Sequence, residues 1–171
     1  MVMRAVTGDG VTLEPQLAAH ATDLYAVIGD PSLYEFIDAK EPASEEALRL
    51  RLQRLETRES PDGTEHWLNW VVRNGDGQVV GYVQATVTPD RSAEIAYVLG
   101  RAHWRKGYAY AACVAMIGEL RRSYGVTRLT ATLDPANAAS LALLRKLRLG
   151  FVWEDVPGQE VGYERDLEKD P

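Results

Sequence analysis

Residues 103–112, HWRKGYAYAA, place one glycine, Gly107, at the entrance to an apolar helical pattern that runs through Leu120. A helix leaves its first backbone amides without partners inside itself. A Ser, Thr, Asp or Asn just ahead of the helix usually serves one or two of them. None occurs between Gly100 and Tyr108. What stands there is Arg105, Lys106, Gly107 and, two residues further on, Ala109. Gly107 lets a ligand approach the backbone with no Cβ in the way, and Ala109 does nearly the same. Free amides, the helix dipole and two cations together suit a phosphate. A plainer reading is that Gly107 itself caps the helix, water serves the amides, and the cations are solvated surface charges. The stretch is not a dinucleotide fingerprint, which needs G-x-G-x-x-G. Nor is it a P-loop, since no G-x-x-x-x-G-K-[ST] occurs in the chain.

The elements that must position this loop follow from hydrophobic periodicity. Residues 93–99, AEIAYVL, read as a strand that delivers the chain to the loop, as expected of a phosphate site at a strand's carboxyl end. Ala109, Ala112, Cys113, Met116, Ile117 and Leu120 recur at spacings of three and four, so a helix follows Gly107. Upstream, residues 11–16 look like the end of a strand. Residues 17–28 look like a helix broken by Gly29–Asp30–Pro31, and residues 32–37 like a turn or short helix. Residues 45–59 form a charged amphipathic helix with Ser44 as its N-cap. Residues 66–73 and 79–87 are rich in Trp, Val and Tyr and flank NGDG, a hairpin signal because Asn and Gly tolerate positive φ. Downstream, residues 126–133 read as a strand, 137–147 as a helix, and the GFVWE segment and residues 161–167 as two last strands. Helices, then a meander, then alternating strands and helices make an α/β domain with a partly antiparallel sheet.

The chain has 171 residues and a formal net charge of −6, which suits one domain spanning residues 1–171. Mild acidity argues against a general nucleic-acid binder, which would carry a basic stripe. A single cysteine, Cys113, excludes an internal disulfide and a cysteine-rich zinc site. His20, His66 and His103 lie too far apart for metal-ligand spacing, so no metal is expected. No run approaches the ~18 apolar residues of a membrane span, and the N-terminus has no cleavage pattern; a cytoplasmic protein is expected.

On these residues the chain resembles the Gcn5-related N-acetyltransferase (GNAT) superfamily. AEIAYVLGRAHWRKGYAYAA is similar to the family's motif A, a strand leading into [QR]-x-x-G-x-[GA], matched here by Trp104-Arg105-Lys106-Gly107-Tyr108-Ala109. LDPANAASLALLRKL resembles the family's N-x-x-S-x-x-L-L segment through Asn137, Ser140, Leu143 and Leu144. The N-terminal region and the terminal GYERDL are similar to the branch that includes the ribosomal-protein N-terminal acetyltransferases (RimJ/RimL-like). Departures are Trp104 for the opening Gln or Arg, Ala111 for a common Glu, and RKLRLGF for the usual EKLGF, which puts Arg148 where a helix-ending glycine stands.

The resemblance implies a GNAT fold, a mixed, mostly antiparallel sheet of about seven strands flanked by helices. It implies acetyl-coenzyme A as co-substrate and a primary amine, on a protein N-terminus or a small molecule, as acceptor. It admits a homodimer. The coenzyme's pyrophosphate would lie on Trp104, Arg105, Lys106, Gly107, Tyr108, Ala109 and Tyr110, and its thioester carbonyl on the amides of Val98 and Leu99. Asn137 would border the coenzyme. Glu94, which shares a strand face with Ala96 and Val98, matches the catalytic glutamate of the histone-acetylating branch and is the candidate base. The alternative is a solvated strand-edge Glu or a partner for Arg91. Many members place a Tyr seven residues after the Asn; here that position is Leu144. Ser140 either reaches the coenzyme sulfur, as the ribosomal-protein branch suggests, or caps the helix beside Asn137. His66, Trp67, Asn69 and Gln84 are expected near the acceptor groove, and Trp67 and Trp70 also read as sheet core. The missing Tyr leaves a second reading open: a coenzyme-binding sensor or interaction module without catalysis.

Overall fold

A computed structural model describes residues 2–37, 39–155, 157 and 159–170. Its strands are β1 (Val6–Thr7), β2 (Val11–Pro15), β3 (His66–Asn74), β4 (Val79–Val87), β5 (Ser92–Leu99), β6 (Arg128–Leu133), β7 (Gly150–Asp155) and β8 (Glu160–Asp166). They form one open sheet in the order β1-β2-β3-β4-β5-β6-β8-β7. Every neighbouring pair is antiparallel except β5–β6. The helices are α1 (Ala21–Ile28), α2 (Glu45–Leu55), α3 (Tyr108–Tyr124) and α4 (Ala138–Lys146).

Two apolar clusters cover the two faces of the sheet. One joins Ala112, Cys113, Met116 and Leu120 of α3 and Leu144 of α4 to Leu68, Trp70, Val83, Ile95 and Leu129 of the strands. The other joins α1 and α2, through Leu24, Ile28, Leu48 and Leu52, to Val71, Val79 and Val98. Alternation along β5 therefore sends Ala93, Ile95 and Leu99 toward α3 and Val98 toward α1 and α2. Among the described residues no helix is long and apolar enough to cross a membrane.

The hairpin forms at NGDG because the Asn74 side-chain oxygen accepts the amides of Asp76 (3.1 Å) and Gln78 (3.0 Å), with Gly77 at φ 79°. Ser44 caps α2 by accepting the Ala47 amide at 3.0 Å. The helix read at residues 17–28 is shorter: Ala18–His20 is a tight 3-10 turn, held where the Leu17 amide donates to His20 Nδ1 (2.9 Å). The charged helix ends at Leu55 rather than Glu59, since Arg58 turns left-handed at φ 62° and Glu59 bridges to His66. β6 starts at Arg128, because Gly125 at φ 64° terminates α3 and the Val126 amide still returns to the Leu120 carbonyl. The two-residue β1 was not legible as a strand; with it the sheet has eight strands.

Candidate active site

The one parallel pair in the sheet is short. β5 and β6 pair only at Ser92–Arg128, Ala93–Leu129 and Glu94–Thr130. Beyond that point β5 continues to Leu99 and β6 to Leu133 without pairing to each other. On its other side β5 keeps its partner β4 as far as Gly81–Leu99. The strands thus part into a cleft whose apex is Glu94, and the backbone groups of residues 95–99 that face β6 have no ladder partner. Gly81 helps set the cleft wall. A Cβ there would lie 2.1 Å from the Val98 carbonyl oxygen and 2.8 Å from Leu99 Cα, so only glycine allows β4 this close.

β5 runs into the loop around Gly107. Gly107 caps α3 at φ 81° with no side-chain cap bond. Ala111 N–H donates to the Gly107 carbonyl (3.1 Å), and no backbone acceptor among the described residues takes the amides of Tyr108, Ala109 and Tyr110. Arg105 is also left-handed, at φ 59°. A Cβ built on Gly107 meets nothing within 4 Å, so the space beside the free amides is open. Arg105 and Lys106 are exposed. Free amides at a helix N-terminus beside two exposed cations have the chemistry to hold an anion.

Trp104 fastens this loop to the strand. Its indole N–H donates to the Leu99 carbonyl at 2.8 Å, and the Arg101 guanidinium lies over its ring at 4.7 Å. Tyr108 and Tyr110 are partly buried in the first turn of α3, and the Lys146 ammonium sits 4.1 Å over the Tyr110 ring. The last turn of α4 therefore adds a cation to the same end of the cleft.

The N-terminus of α4 flanks the cleft. Asn137 is its N-cap, accepting the Ser140 amide at 3.1 Å. Ser140 Oγ is 2.6 Å from the hydroxyl of Tyr97, a β5 residue that the sequence reading did not single out. The pattern AEIAYVL carries the signal in retrospect, because Tyr97 alternates to the α4 face. Leu144, at the position of the absent Tyr, is 1% exposed and belongs to the α3-side core.

Glu94 faces the other way, with Ala96 and Val98, toward the α1–α2 side. It is exposed and makes no ion pair among the described residues; Arg91 pairs with Glu168 instead (3.3 Å). On this face the ladder sets Trp67 beside Thr86, Thr86 beside Glu94, Glu94 beside Thr130, and Thr130 beside Glu164. Asn69 and Gln84 lie in the neighbouring row. His66 does not belong to it: it lies on the α3 face, its ring 6.1 Å from that of Tyr124. Trp70 is fully buried core, whereas the Trp67 indole donates to Glu65 at 2.9 Å. Among the described residues no three His, Cys, Asp or Glu side chains gather as a metal-ligand set.

The family described as "Acetyltransferase (GNAT) domain" matches residues 11–151. The uncharacterized N-acetyltransferase p20 of Bacillus licheniformis is 38% identical over 77 residues, covering 45% of this chain and 38% of that protein. The uncharacterized protein YkkB of Bacillus subtilis is 29% identical over 107 residues, covering 52% of this chain and 61% of its own length. The matched regions thus span less than two thirds of these curated relatives. Among solved structures, RimL, a ribosomal L7/L12 α-N-protein acetyltransferase in complex with coenzyme A, superposes with a TM-score of 0.79 at 18% identity, covering 94% of this chain and 96% of that one. Mycobacterium smegmatis RimJ in complex with a coenzyme A disulfide gives 0.79 at 20% identity, covering 98% and 88%.

Proposed function

Because the chain belongs to the GNAT acetyltransferase family, we propose that it transfers an acetyl group from acetyl-coenzyme A to a primary amine by direct attack in a ternary complex. The observation that carries this reading is the β5–β6 cleft, which ends on the uncapped amides of α3 around Gly107. In this reading the amides of Tyr108, Ala109 and Tyr110, with Arg105 and Lys106, hold the pyrophosphate. Gly107 leaves it room, and Trp104 keeps the loop pinned to Leu99. At the unpaired edge of β5 the Leu99 N–H points away from β4 and is offered to the thioester carbonyl, where negative charge builds as the amine attacks, while the Val98 N–H, expected there too, faces Tyr82 across the β4 ladder. Asn137 holds the first turn of α4 against the cleft.

The acceptor approaches from the α1–α2 face. Glu94 stands there at the cleft apex, free to take the amine's surplus proton. The second carboxylate on that face, Glu164, one strand beyond Thr130, suits an acceptor that arrives as an ammonium ion. A protein N-terminus and a small-molecule amine both meet this requirement. Nucleophile and leaving thiol then occupy opposite faces of the sheet, with the acyl carbon held between them.

Thiol release from acetyl-coenzyme A, measured against a panel of amines and N-terminal peptides, tests the proposal. Turnover on at least one primary amine is expected. Coenzyme binding without turnover on any acceptor would instead favour a non-catalytic coenzyme-binding module, the reading to which the buried Leu144 lends itself.

A further inference from the structure

Acyl transfer from a thioester expels a thiolate, and α4 offers no phenol to receive it: the described residues of that helix contain no Tyr, and Leu144 is sealed in the core. We propose that Tyr97 is a positioning residue that orients the Ser140 hydroxyl so that its proton points at the departing sulfur. This rests on the acetyltransferase reading above and assigns the thiol side of that site.

The geometry is specific. Tyr97 lies in the unpaired stretch of β5, three residues beyond the apex residue Glu94, and on the opposite face from it. Its hydroxyl is 2.6 Å from Ser140 Oγ and 3.4 Å from the Ser140 carbonyl oxygen. The Ser140 amide is already engaged by Asn137 (3.1 Å), so backbone and side chain of Ser140 are both fixed. Each hydroxyl has one proton to give and two lone pairs. The phenol is the more acidic of the two and is the better donor. Burial against the α3-side core pushes its pKa up, so it stays protonated and its single O–H is always available. A phenol donating to Ser140 Oγ leaves the Ser140 O–H free for a third atom.

In the transfer step the amine nitrogen forms the C–N bond, and the C–S bond breaks with its electron pair going to sulfur. The amine's surplus proton leaves to Glu94 or water. The sulfur, stabilised by the Ser140 hydrogen bond, later takes a proton from water. Tyr97 loses no proton at any stage. Its contribution is the direction of the Ser140 O–H, a preorganised dipole aimed where charge develops.

The test needs no acceptor. The thiol of bound coenzyme A is titrated by its thiolate absorbance in the wild type, Tyr97→Phe and Ser140→Ala. A hydrogen bond to the charged form lowers a thiol pKa, so the bound thiol is expected to titrate about one pH unit higher in each variant, with no further rise in the double variant. Phe keeps the ring that packs in the core, and Ser140→Ala interrogates the same bond from its other end. A Tyr97→Phe variant that binds coenzyme A with an unchanged thiol titration overturns the proposal, as does one whose only defect is weaker binding, the mark of a merely structural contact. A wild-type chain that binds no coenzyme A overturns this proposal together with the acetyltransferase reading, so the two failures are distinguishable.

Discussion

Single residues carry the chemistry here, and two of them make distinct predictions. Glu94 is the exposed carboxylate at the cleft apex, with Thr86 and Thr130 as ladder neighbours. If it removes the amine proton, Glu94→Gln lowers turnover by roughly 10²–10⁴-fold while coenzyme affinity stays put. Unchanged turnover in a folded Glu94→Gln protein would show that Glu94 is not the base. Arg148 stands just past α4 at φ 67°, a left-handed position that glycine fills at no steric cost. Its amide returns to the Arg145 carbonyl and that of Leu149 to Leu144, so the turn is a helix stop built with the wrong residue. Relief of ~1–2 kcal/mol of left-handed strain, offset by the added chain entropy of glycine, predicts that Arg148→Gly stabilises the fold by roughly 0.5–1 kcal/mol in a urea melt.

Among the elements, those with strong periodicity or a named cap were legible. Ser44, the Asn74–Gly77 turn and the α3 pattern all specify themselves locally, and the structure has them. The missing side-chain cap of α3 was legible for the opposite reason, since no Ser, Thr, Asp or Asn stands between Gly100 and Tyr108. What the chain does not announce locally depends on partners distant in sequence. β1 is a strand only because Val6 and Thr7 meet Leu13 and Thr12. Tyr97 looked like another strand apolar, because its partner Ser140 lies 43 residues away. His66, expected near the acceptor groove, lies on the α3 face, because alternation along β3 sends it there with Leu68 and Trp70. The role of Gly81 is invisible without β5 beside it. Gly81→Ala would drive a Cβ into the Val98 carbonyl, and backbone cannot yield as a flexible side chain does. It is expected to cost about 2–3 kcal/mol and to weaken coenzyme binding by displacing Val98 and Leu99. A variant with unchanged urea midpoint and affinity would refute that wall.

For the whole molecule, the sheet separates two tasks. The α3–α4 face carries the larger core and, in the proposed reading, the thiol side of the cleft, with the acceptor on the α1–α2 face. The larger core sets one pH dependence. Cys113 is fully buried in it, and burial pushes its thiol from 9.0 to about 12. A thiol whose pKa is raised by folding stabilises the folded state fully below its unfolded value. That contribution falls as pH climbs from 9.0 toward about 12. Global stability should therefore decline over that window, and Cys113→Val should flatten part of the slope. An identical slope in a folded variant would contradict the placement of this thiol.

The anion cradle proposed at the head of α3 is the feature on which coenzyme binding turns. Coenzyme A and pantetheine, which lacks the phosphates, can be compared by calorimetry on the wild type and on Gly107→Val. A β-branched residue at φ 81° both strains the loop and fills the space beside the free amides. At least a tenfold loss of coenzyme A affinity is expected, with pantetheine binding unchanged. A folded Gly107→Val protein that binds coenzyme A as tightly as the wild type would contradict the cradle.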